Sequence, residues 1–579
     1  MKKNTSNTMK NIIRYLKRYI PAIVISIIPA LLSVAASLLI PRYIGFAIDA
    51  MIETGIPEND ALWDNLIKII ISIGVFALCQ WLFTHIINTV AYNTVKDIRT
   101  DAFMKITRLP VSYMDSHPHG ETLSRVISDT EQLGDGLIMG FAGILTGVAT
   151  ILGTLIIMFY MNVALALAVV ILTPMSLFVA RFVTSKTHKF FTKQTKLKGV
   201  LTGFTEESIK GIKTVKSAGA QEQRKDTYKK MDKEYTESSL MAIFFSSLTN
   251  PLTRFVNSTV YAVTALIGAL YVINTGTFTV GMLSSFLSYS GSYAKPFNEI
   301  SSVITEFQGS LACAERVFEL IGEKEINDLP PSKEKQIARG EVVFKSVDFS
   351  YSEDKPLIEG FSLDVKPGSH VAIVGPTGCG KTTLINLLMR FYDACKGDIL
   401  VDGESIYEMS RADLRDKMGM VLQDTWIKRG TVRENIALGK TDATDEEIYA
   451  AARAALADDF IRRLPAGYDT VIGTGATELS QGQSQLICIA RVMLRDPQIL
   501  ILDEATSSID TRSEMIISRA FDKLTLNKTS FIVAHRLSTI KNADVILVMR
   551  DGKIVERGTH AELLEKKGFY YELYSSRIK

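Results

Sequence analysis

Residues 371–391 read VAIVGPTGCGKTTLINLLMRF, and this stretch decides the fold of the region around it. The apolar run 371–374 is typical of a buried strand, and the residues from Lys381 onward are typical of a helix. Between them, GPTGCGKT at 375–382 fits the GxxxxGK(S/T) pattern of a P-loop in the strand–loop–helix context that the pattern requires. We therefore predict an α/β domain built around this strand, turn and helix.

The P-loop predicts a nucleotide site. Backbone N–H groups of a glycine-rich turn at a helix N-terminus form a cradle for phosphate anions. We expect the Lys381 ammonium to pair with the β- and γ-phosphates and the Thr382 hydroxyl to ligate Mg²⁺. The residues of this loop predicted to bind nucleotide are Gly375, Thr377, Gly378, Cys379, Gly380, Lys381, Thr382 and Thr383.

A second apolar run, 499–502, ends at Asp503 and Glu504. A carboxylate at the end of a strand can hold Mg²⁺ directly or through water, which predicts Asp503 as a metal ligand. Glu504 would then polarise the attacking water as a general base. An acidic pair at a strand end is ordinarily only solvated, but the P-loop earlier in the chain favours the magnesium interpretation.

The first half of the chain is predicted to lie in a membrane. Mean hydropathy is +0.16, which is high for 579 residues of which 22% are charged, so a strongly apolar part is averaged with an ordinary soluble part. Apolar stretches near the length that crosses about 30 Å of hydrocarbon recur in this half. The predicted spans are 21–40, 66–88, 137–160, 163–180, 256–272 and 280–293.

The charges that flank these spans predict their orientation. Basic residues precede the first span and follow the second and the fourth, whereas the loop after the first span is acidic. Both termini and the long connections 91–135 and 185–244 are therefore expected on the cytoplasmic side. Residues 1–20 carry Ile12 and Leu16 at helical spacing opposite basic residues, which predicts an interfacial helix on the inner leaflet.

Further motifs resemble those of ATP-binding cassette (ABC) proteins. LSQGQ at 479–483 resembles the ABC signature, and FSY at 349–351 resembles the loop whose aromatic side chain stacks on adenine. The surroundings of Gln423, Asp510 and His535 resemble the Q-loop, the D-loop and the switch region. With the spans before them, these motifs make the chain similar to an ABC exporter half-transporter, and in particular to the catalytic-glutamate subunit of bacterial heterodimeric multidrug exporters.

This resemblance implies the fold class and the domain organisation. We expect an α-helical transmembrane domain, of six spans with long cytoplasmic extensions, fused to a soluble α/β P-loop ATP-binding cassette domain of the type IV exporter arrangement. The expected parts are the interfacial helix 1–20, the transmembrane domain 21–322, a charged and proline-containing linker 323–339 and the nucleotide-binding domain 340–579.

The resemblance also implies a role for each motif residue, with ATP and Mg²⁺ as cofactors. Tyr351 would stack on adenine, Gln423 would contact Mg²⁺ or the attacking water, and His535 would donate a hydrogen bond to the γ-phosphate. The implied catalytic residues are Glu504, His535 and Gln423, and the implied Mg²⁺ ligands are Thr382, Gln423 and Asp503. The implied nucleotide contacts outside the P-loop are Tyr351, Ser480, Gln481, Gly482, Gln483 and Asp510.

The signature residues would bind the γ-phosphate held by a second subunit, so the resemblance implies a dimer. Gln481 stands where the signature usually has glycine. Segments 427–430 and 473–478 also depart from the sequences that usually couple the cassette to the membrane domain. A heterodimer with a second half-transporter is favoured. A homodimer stays open because this chain has every element needed for two equal sites.

The implied function is ATP-driven export of hydrophobic or amphipathic compounds, such as drugs or lipids, across the bacterial cytoplasmic membrane by alternating access. Membrane lipids and a hydrophobic or amphipathic substrate are the expected partners. No acidic ring or basic cluster marks the middle of the spans, which favours an amphipathic solute over a small ion. A lipid flippase is the first alternative, and an ATP-gated channel or a peptide sensor is a further one.

Composition excludes other classes of protein. The net charge of +3 gives no basic field that would predict a nucleic-acid partner. The five cysteines contain no CxxC pair, which argues against a disulfide scaffold or a zinc ribbon. His117 and His119 flank a proline and favour a turn over a metal site.

Overall fold

The computed structural model describes residues 2–54, 60–275, 278–332, 338–352, 355–422, 425–473, 475–503, 511–533 and 540–578. The chain forms two compact units. Unit 1 comprises Met1–Arg108 and Pro118–Lys324, and unit 2 comprises Leu109–His117 and Glu325–Lys579.

Unit 1 is built of long helices. Its apolar stretches form helices because a helix satisfies every backbone hydrogen bond within one segment, which hydrocarbon surroundings demand. Helix α2 packs on α3, α6 on α11, and α8 on α10. The helices of this part of the chain are α1 (Lys2–Leu16), α2 (Ile20–Thr54), α3 (Asp60–Arg108), α4 (Val111–Ser116, which belongs to unit 2), α5 (His119–Val126), α6 (Ser128–Met161), α7 (Val163–Leu172), α8 (Pro174–Lys210), α9 (Ile212–Ser217), α10 (Gln221–Thr275) and α11 (Val280–Gly322).

Apolar windows long enough to cross a membrane are found in four helical stretches of the described chain. They lie within Ser6–Glu53, Asp60–Arg108, His119–Met161 and Gln221–Asn274, which contain the first, second, third and fifth predicted spans. By length and composition, these four can cross a bilayer. The fourth and sixth predicted spans stay predictions.

The fourth predicted span, 163–180, is divided rather than continuous. Helix α7 ends at Leu172, and α8 begins with Pro174 at its first turn. Proline has no N–H to donate to the preceding turn, so it is favoured at a helix start and disfavoured inside a helix. The apolar run of α7 is therefore only 10 residues long.

Unit 2 is an α/β domain with a mostly parallel sheet in the order β12-β11-β3-β10-β9-β6 and an antiparallel sheet in the order β2-β1-β4-β5. The strands are β1 (Val342–Ser352), β2 (Lys355–Val365), β3 (His370–Val374), β4 (Lys396–Val401), β5 (Glu404–Ser405), β6 (Met418–Val421), β7 (Gly430–Thr431), β8 (Val471–Ile472), β9 (Ile499–Asp503), β10 (Thr529–Val533), β11 (Val545–Arg550) and β12 (Lys553–Gly558). The helices are α12 (Lys381–Leu388), α13 (Arg411–Asp416), α14 (Val432–Ala437), α15 (Asp445–Ala454), α16 (Asp458–Ile461), α17 (Gln481–Arg495), α18 (Thr511–Thr525), α19 (His560–Lys566) and α20 (Phe569–Ile578).

Strand β3 lies at the centre of this unit. Val371 and Ile373 belong to one hydrophobic cluster, and Ala372 and Val374 belong to another. The alternation of side chains along a strand places these two pairs on opposite faces of the sheet. Both faces are thus covered, which is the usual state of a parallel sheet. The burial holds the start of the P-loop at a fixed position.

Candidate nucleotide-binding site

The loop after β3 has a backbone that glycine permits. Gly378 has φ +83° and Gly380 has φ +102°, a left-handed conformation that strains residues with a Cβ atom. Gly380 is the N-cap residue of α12. At Gly375 the reason for glycine is space, since an added Cβ would lie 2.3 Å from the carbonyl oxygen of Met549. The glycines of the motif therefore shape the loop that opens α12.

Lys381 places its ammonium inside this loop. Its Nζ donates hydrogen bonds to the carbonyl oxygens of Gly375, at 2.9 Å, and Pro376, at 2.8 Å. The positive charge and the N-terminus of α12 thus lie at the same turn, and both favour an anion. This is the arrangement in which a lysine can pair with phosphate oxygens.

The threonines after Lys381 point in different directions. The Thr382 side chain is exposed, so its hydroxyl is accessible to a ligand. Thr383 is buried, and its Oγ1 lies 3.3 Å from the Tyr351 hydroxyl. Cys379 is also buried, and its carbonyl accepts a hydrogen bond from the Gly552 N–H at 3.2 Å. Thr383 and Cys379 therefore support the loop, while Thr382 faces outward.

Tyr351 stands at the edge of an aromatic cluster. Its side chain is 52% exposed, and its ring meets those of Phe349 and Tyr392 edge-on, with centroids 4.9 and 5.0 Å away. Asn386 on α12 donates a long hydrogen bond of 3.5 Å to the Tyr351 hydroxyl. These contacts fix the ring beside the P-loop helix and leave part of it accessible for stacking on a planar base.

The neighbours Asn386 and Tyr392 were not among the predicted site residues. The Tyr392 hydroxyl also donates a hydrogen bond to the Asp115 carboxylate, in the segment Leu109–His117 that belongs to unit 2. Burial and the neighbouring Asp115 carboxylate raise the pKa of Tyr392. In the sequence, the only sign of this cluster was an aromatic residue shortly after α12. Such a residue does not predict the contacts with Tyr351 and Asp115.

Asp503 ends β9 at the same edge of the sheet as the P-loop. It pairs in register with Val533 of β10, and Val533 pairs with Ile373 of β3. Two strand spacings amount to about 9.6 Å. Asp503 therefore ends its strand level with Ile373, two residues before Gly375, and a carboxylate at this edge could reach a magnesium ion or its bound water.

Helix α17 begins with a capping box formed by Ser480 and Gln483. Ser480 Oγ accepts a hydrogen bond from the Gln483 N–H at 3.2 Å, and Gln483 Oε1 accepts one from the Ser480 N–H at 3.0 Å. A helix has no internal acceptors for its first N–H groups. The capping box uses the N–H groups of Ser480 and Gln483, so the N–H groups of Gln481 and Gly482 remain directed out of the helix end.

This helix end can therefore bind an anion. Ser480 Oγ accepts in the capping box, and its own O–H hydrogen remains available to donate. The Gln481 side chain is exposed at the first helical position, whereas Gly482 is buried. Gln483 takes part in the capping box, and its predicted nucleotide contact stays a prediction. Gln423, Glu504, Asp510 and His535 lie outside the described residues, so their predicted roles stay predictions.

A P-loop strand, an acidic strand end at the same sheet edge and a serine-capped helix are the elements of an ATP-binding cassette. Comparison with known proteins extends this to the whole chain. The family description "ABC transporter transmembrane region" matches residues 23–296, and "ABC transporter" matches residues 358–507.

Similar proteins and a solved structure agree with these family matches. The chain is 42% identical over 497 residues to the "Fatty acid ABC transporter ATP-binding/permease protein" of Mycobacterium tuberculosis, covering 86% of this chain and 78% of that protein. It is 34% identical over 574 residues to a "Putative multidrug export ATP-binding/permease protein" of Staphylococcus aureus, covering 98% and 99%. The structure of a bacterial Atm1-family ABC exporter with ATP bound superimposes with a TM-score of 0.77 at 28% identity, covering 97% and 99%.

The chain belongs to the ABC transporter family. It joins a helical transmembrane region to an ATPase domain in one polypeptide, which is the composition of an ABC exporter half-transporter. The predicted fold class, a helical transmembrane domain fused to an α/β ATP-binding cassette domain, is confirmed, while its number of six spans stays a prediction. The predicted enzyme class, an ATP hydrolase coupled to transport, is also confirmed.

Proposed function

We propose that this exporter works as one subunit of a heterodimer in the bacterial cytoplasmic membrane, with both termini in the cytoplasm, and exports hydrophobic or amphipathic compounds by alternating access. The names of its relatives, which include a fatty acid transporter and a multidrug exporter, support an apolar or amphipathic cargo. The observation that carries the proposal is the capping box at the start of α17, which leaves the N–H groups of Gln481 and Gly482 directed out of the helix end. These groups would be phosphate donors in addition to those of the P-loop.

ABC half-transporters function as dimers, and the two sets of donors explain why. In our proposal the P-loop of one subunit holds ATP, while Ser480 and the N–H groups of Gln481 and Gly482 contact the γ-phosphate of the ATP held by the partner. Binding of ATP would then close the two cassettes on each other. Hydrolysis at Glu504, assisted by Gln423 and His535, would release them.

Mg²⁺ fits the residues that the structure describes. The accessible Thr382 hydroxyl and the Asp503 carboxylate are oxygen donors, which Mg²⁺ prefers. The described ranges contain no group of three or more His, Cys, Asp or Glu residues that could hold a metal by itself. This agrees with an ion that relies on phosphate oxygens, with Thr382, Asp503 and Gln423 as the proposed protein ligands. The bound ion would neutralise phosphate charge.

The role of Ser480 is tested by Ser480→Ala, matched with Thr559→Ala. Both residues form capping boxes, Thr559 with Glu562 at α19, so each variant should lose about 1 kcal/mol of stability. Only Ser480→Ala should also lower the ATPase rate, by about tenfold or more, because a hydrogen bond to a charged phosphate is lost. Thermal unfolding and steady-state ATPase activity of both purified variants provide the measurement. Equal ATPase rates in the two variants would limit Ser480 to capping the helix.

The heterodimer is tested by co-purification from the native organism with an affinity tag on this chain. We expect a second half-transporter in about equal amount, and ATPase activity that requires both chains. The resemblance of the Gln481-containing signature to that of heterodimeric exporters supports this expectation. Recovery of this chain alone, with full ATPase activity, would instead establish a homodimer.

A further inference from the structure

A cavity of about 440 Å³ lies in unit 1 beneath helix α1, and α2, α3, α6 and α11 form its other walls. We call it the α1 cavity. This volume is in the range of small-molecule sites. Its lining side chains are apolar except for Ser26 and Ser310. Those two hydroxyls donate to the backbone oxygens of Ile23, at 2.7 Å, and Phe307, at 2.9 Å. The lining therefore suits a hydrocarbon rather than a polar ligand.

The α1 cavity has a closed end and an open end. Ile87 and Leu133 at the closed end are 2% and 1% exposed. Ile13 of α1 and Ile144 of α6 also line it, yet they are 53% and 60% exposed. The cavity thus opens to the surface of unit 1 between α1 and α6. A chain-like ligand could enter there and extend inward.

Hydrogen bonds hold α1 in place over the cavity. The Tyr15 hydroxyl donates to Asp101 of α3 at 2.6 Å. Just beyond the end of α1, the Tyr19 hydroxyl donates to Asp97 at 2.8 Å. Both carboxylates lie on the part of α3 that follows the predicted span 66–88. The α1 cavity is therefore a feature of a docked helix, not a gap left by a loose one.

Two exposed lysines lie near the open end in the sequence. Lys10 of α1 and Lys17, in the 3₁₀ turn that directly follows α1, lie three residues before and four residues after Ile13, so helical spacing places them on the side of the helix that carries Ile13. Both lysines are exposed, and α1 contains no Asp or Glu. An anionic headgroup at the open end would lie on the side of α1 that carries these two lysines. The carboxylates nearest to α1, Asp97 and Asp101 of α3, already accept hydrogen bonds from Tyr19 and Tyr15, and α1 itself offers no carboxylate to the ammonium group of a zwitterionic headgroup.

We propose that the α1 cavity binds a long-chain fatty carboxylate, with its alkyl chain inside and its carboxylate beside Lys10 and Lys17. An alkyl chain that leaves the bilayer for an apolar cavity gains little free energy from the hydrophobic effect, since lipid tails are equally apolar. In this proposal Lys10 and Lys17 therefore supply the selectivity. The inference rests on the predicted position of α1 at the membrane surface, and it does not require the carboxylate to be the exported cargo.

Photolabelling of the full-length transporter, with its partner chain if one co-purifies, tests the site. The probe is palmitic acid with a diazirine near its methyl end, in nanodiscs of zwitterionic lipid, and labelled peptides are mapped by mass spectrometry. We expect labelling at cavity residues such as Leu137 and Phe141, competed away by excess unlabelled palmitate. Labelling that palmitate does not reduce, or that spreads along all lipid-facing helices, would overturn the proposal.

Two pairs of variants test separately the part of the site that holds the alkyl chain and the part that holds the carboxylate. Leu145→Trp fills the cavity and should lower labelling at least fivefold, whereas Leu152→Trp, on the exposed face of the same helix, should not. The double variant K10Q/K17Q should lower labelling at least threefold, whereas K229Q/K230Q, with the same charge change on α10, should not. If Leu145→Trp fails to assemble, the competition by palmitate decides.

An uncharged probe distinguishes the occupants. A fatty alcohol with the same diazirine should label the α1 cavity several times less than the acid and should not respond to K10Q/K17Q. Equal labelling by the two probes would mean that any lipid chain fills the cavity, and this would overturn the proposal of a carboxylate site. Thermal unfolding of the full-length transporter reports whether each variant is folded. ATPase activity, which depends on unit 2, separates this result from a failure of the proposed transport function.

Discussion

Lys381→Ala is expected to weaken ATP binding at least about 100-fold. The Lys381 ammonium lies inside the P-loop, 2.9 and 2.8 Å from the carbonyl oxygens of Gly375 and Pro376. There it can pair with two phosphate groups, and each hydrogen bond to a charged group is worth about 1.5–3 kcal/mol. Removing both interactions corresponds to a loss of roughly two to four powers of ten in affinity. Equilibrium binding of ATP to the purified transporter measures this loss.

The matched control is Lys366→Ala. Lys366 precedes β3 in the same unit, its side chain is exposed, and it lies outside the P-loop. Lys366→Ala removes the same charge as Lys381→Ala, so a general electrostatic effect would weaken ATP binding equally in both variants. Thermal unfolding shows whether the loop variant is folded. ATP affinity within threefold of wild type in folded Lys381→Ala would refute the assigned role of this lysine.

Glu504→Gln is expected to stop turnover while leaving ATP binding intact. Glu504 directly follows Asp503, the last residue of β9 at the phosphate edge of the sheet. A positioned general base contributes about 10²–10⁴-fold to rate, and an amide cannot accept the proton from water. The ATPase rate should therefore fall at least 100-fold. Because the amide has almost the same size and removes a negative charge, ATP affinity should stay equal or increase.

A conservative control is Glu565→Gln on helix α19, where the side chain is exposed. It should leave both the ATPase rate and ATP binding unchanged. The two measurements on Glu504→Gln have to be taken on the same preparation, because reduced turnover with reduced binding would indicate damage to the nucleotide pocket. An unchanged steady-state ATPase rate in Glu504→Gln would show that another group is the base.

Local patterns predicted the centre of unit 2 closely. The predicted strand 371–374 is part of His370–Val374, and the predicted run 499–502 is part of Ile499–Asp503. Both runs are short, apolar and bounded by a turn or by charge, and their burial on both faces of the sheet agrees with the pattern. The helix after Lys381 likewise begins where the P-loop motif requires.

Patterns were less informative in unit 1. Hydropathy alone predicts a span over 163–180, but Pro174 starts a new helix within it. Hydropathy measures the composition of a window and does not register which backbone N–H group is missing. The α1 cavity could not be predicted either, since its walls come from helices that are far apart in the chain.

The sequence by itself determined the chemistry of the nucleotide site, because the P-loop residues are contiguous and their glycines, lysine and threonine act through local geometry. Only the tertiary structure decided what surrounds that chemistry. Tyr351, Asn386 and Tyr392 meet because a strand and a helix pack together, and Tyr392 reaches Asp115 across a separation of 277 residues. Contacts of this kind depend on how elements pack and pair, and no short-range pattern records them.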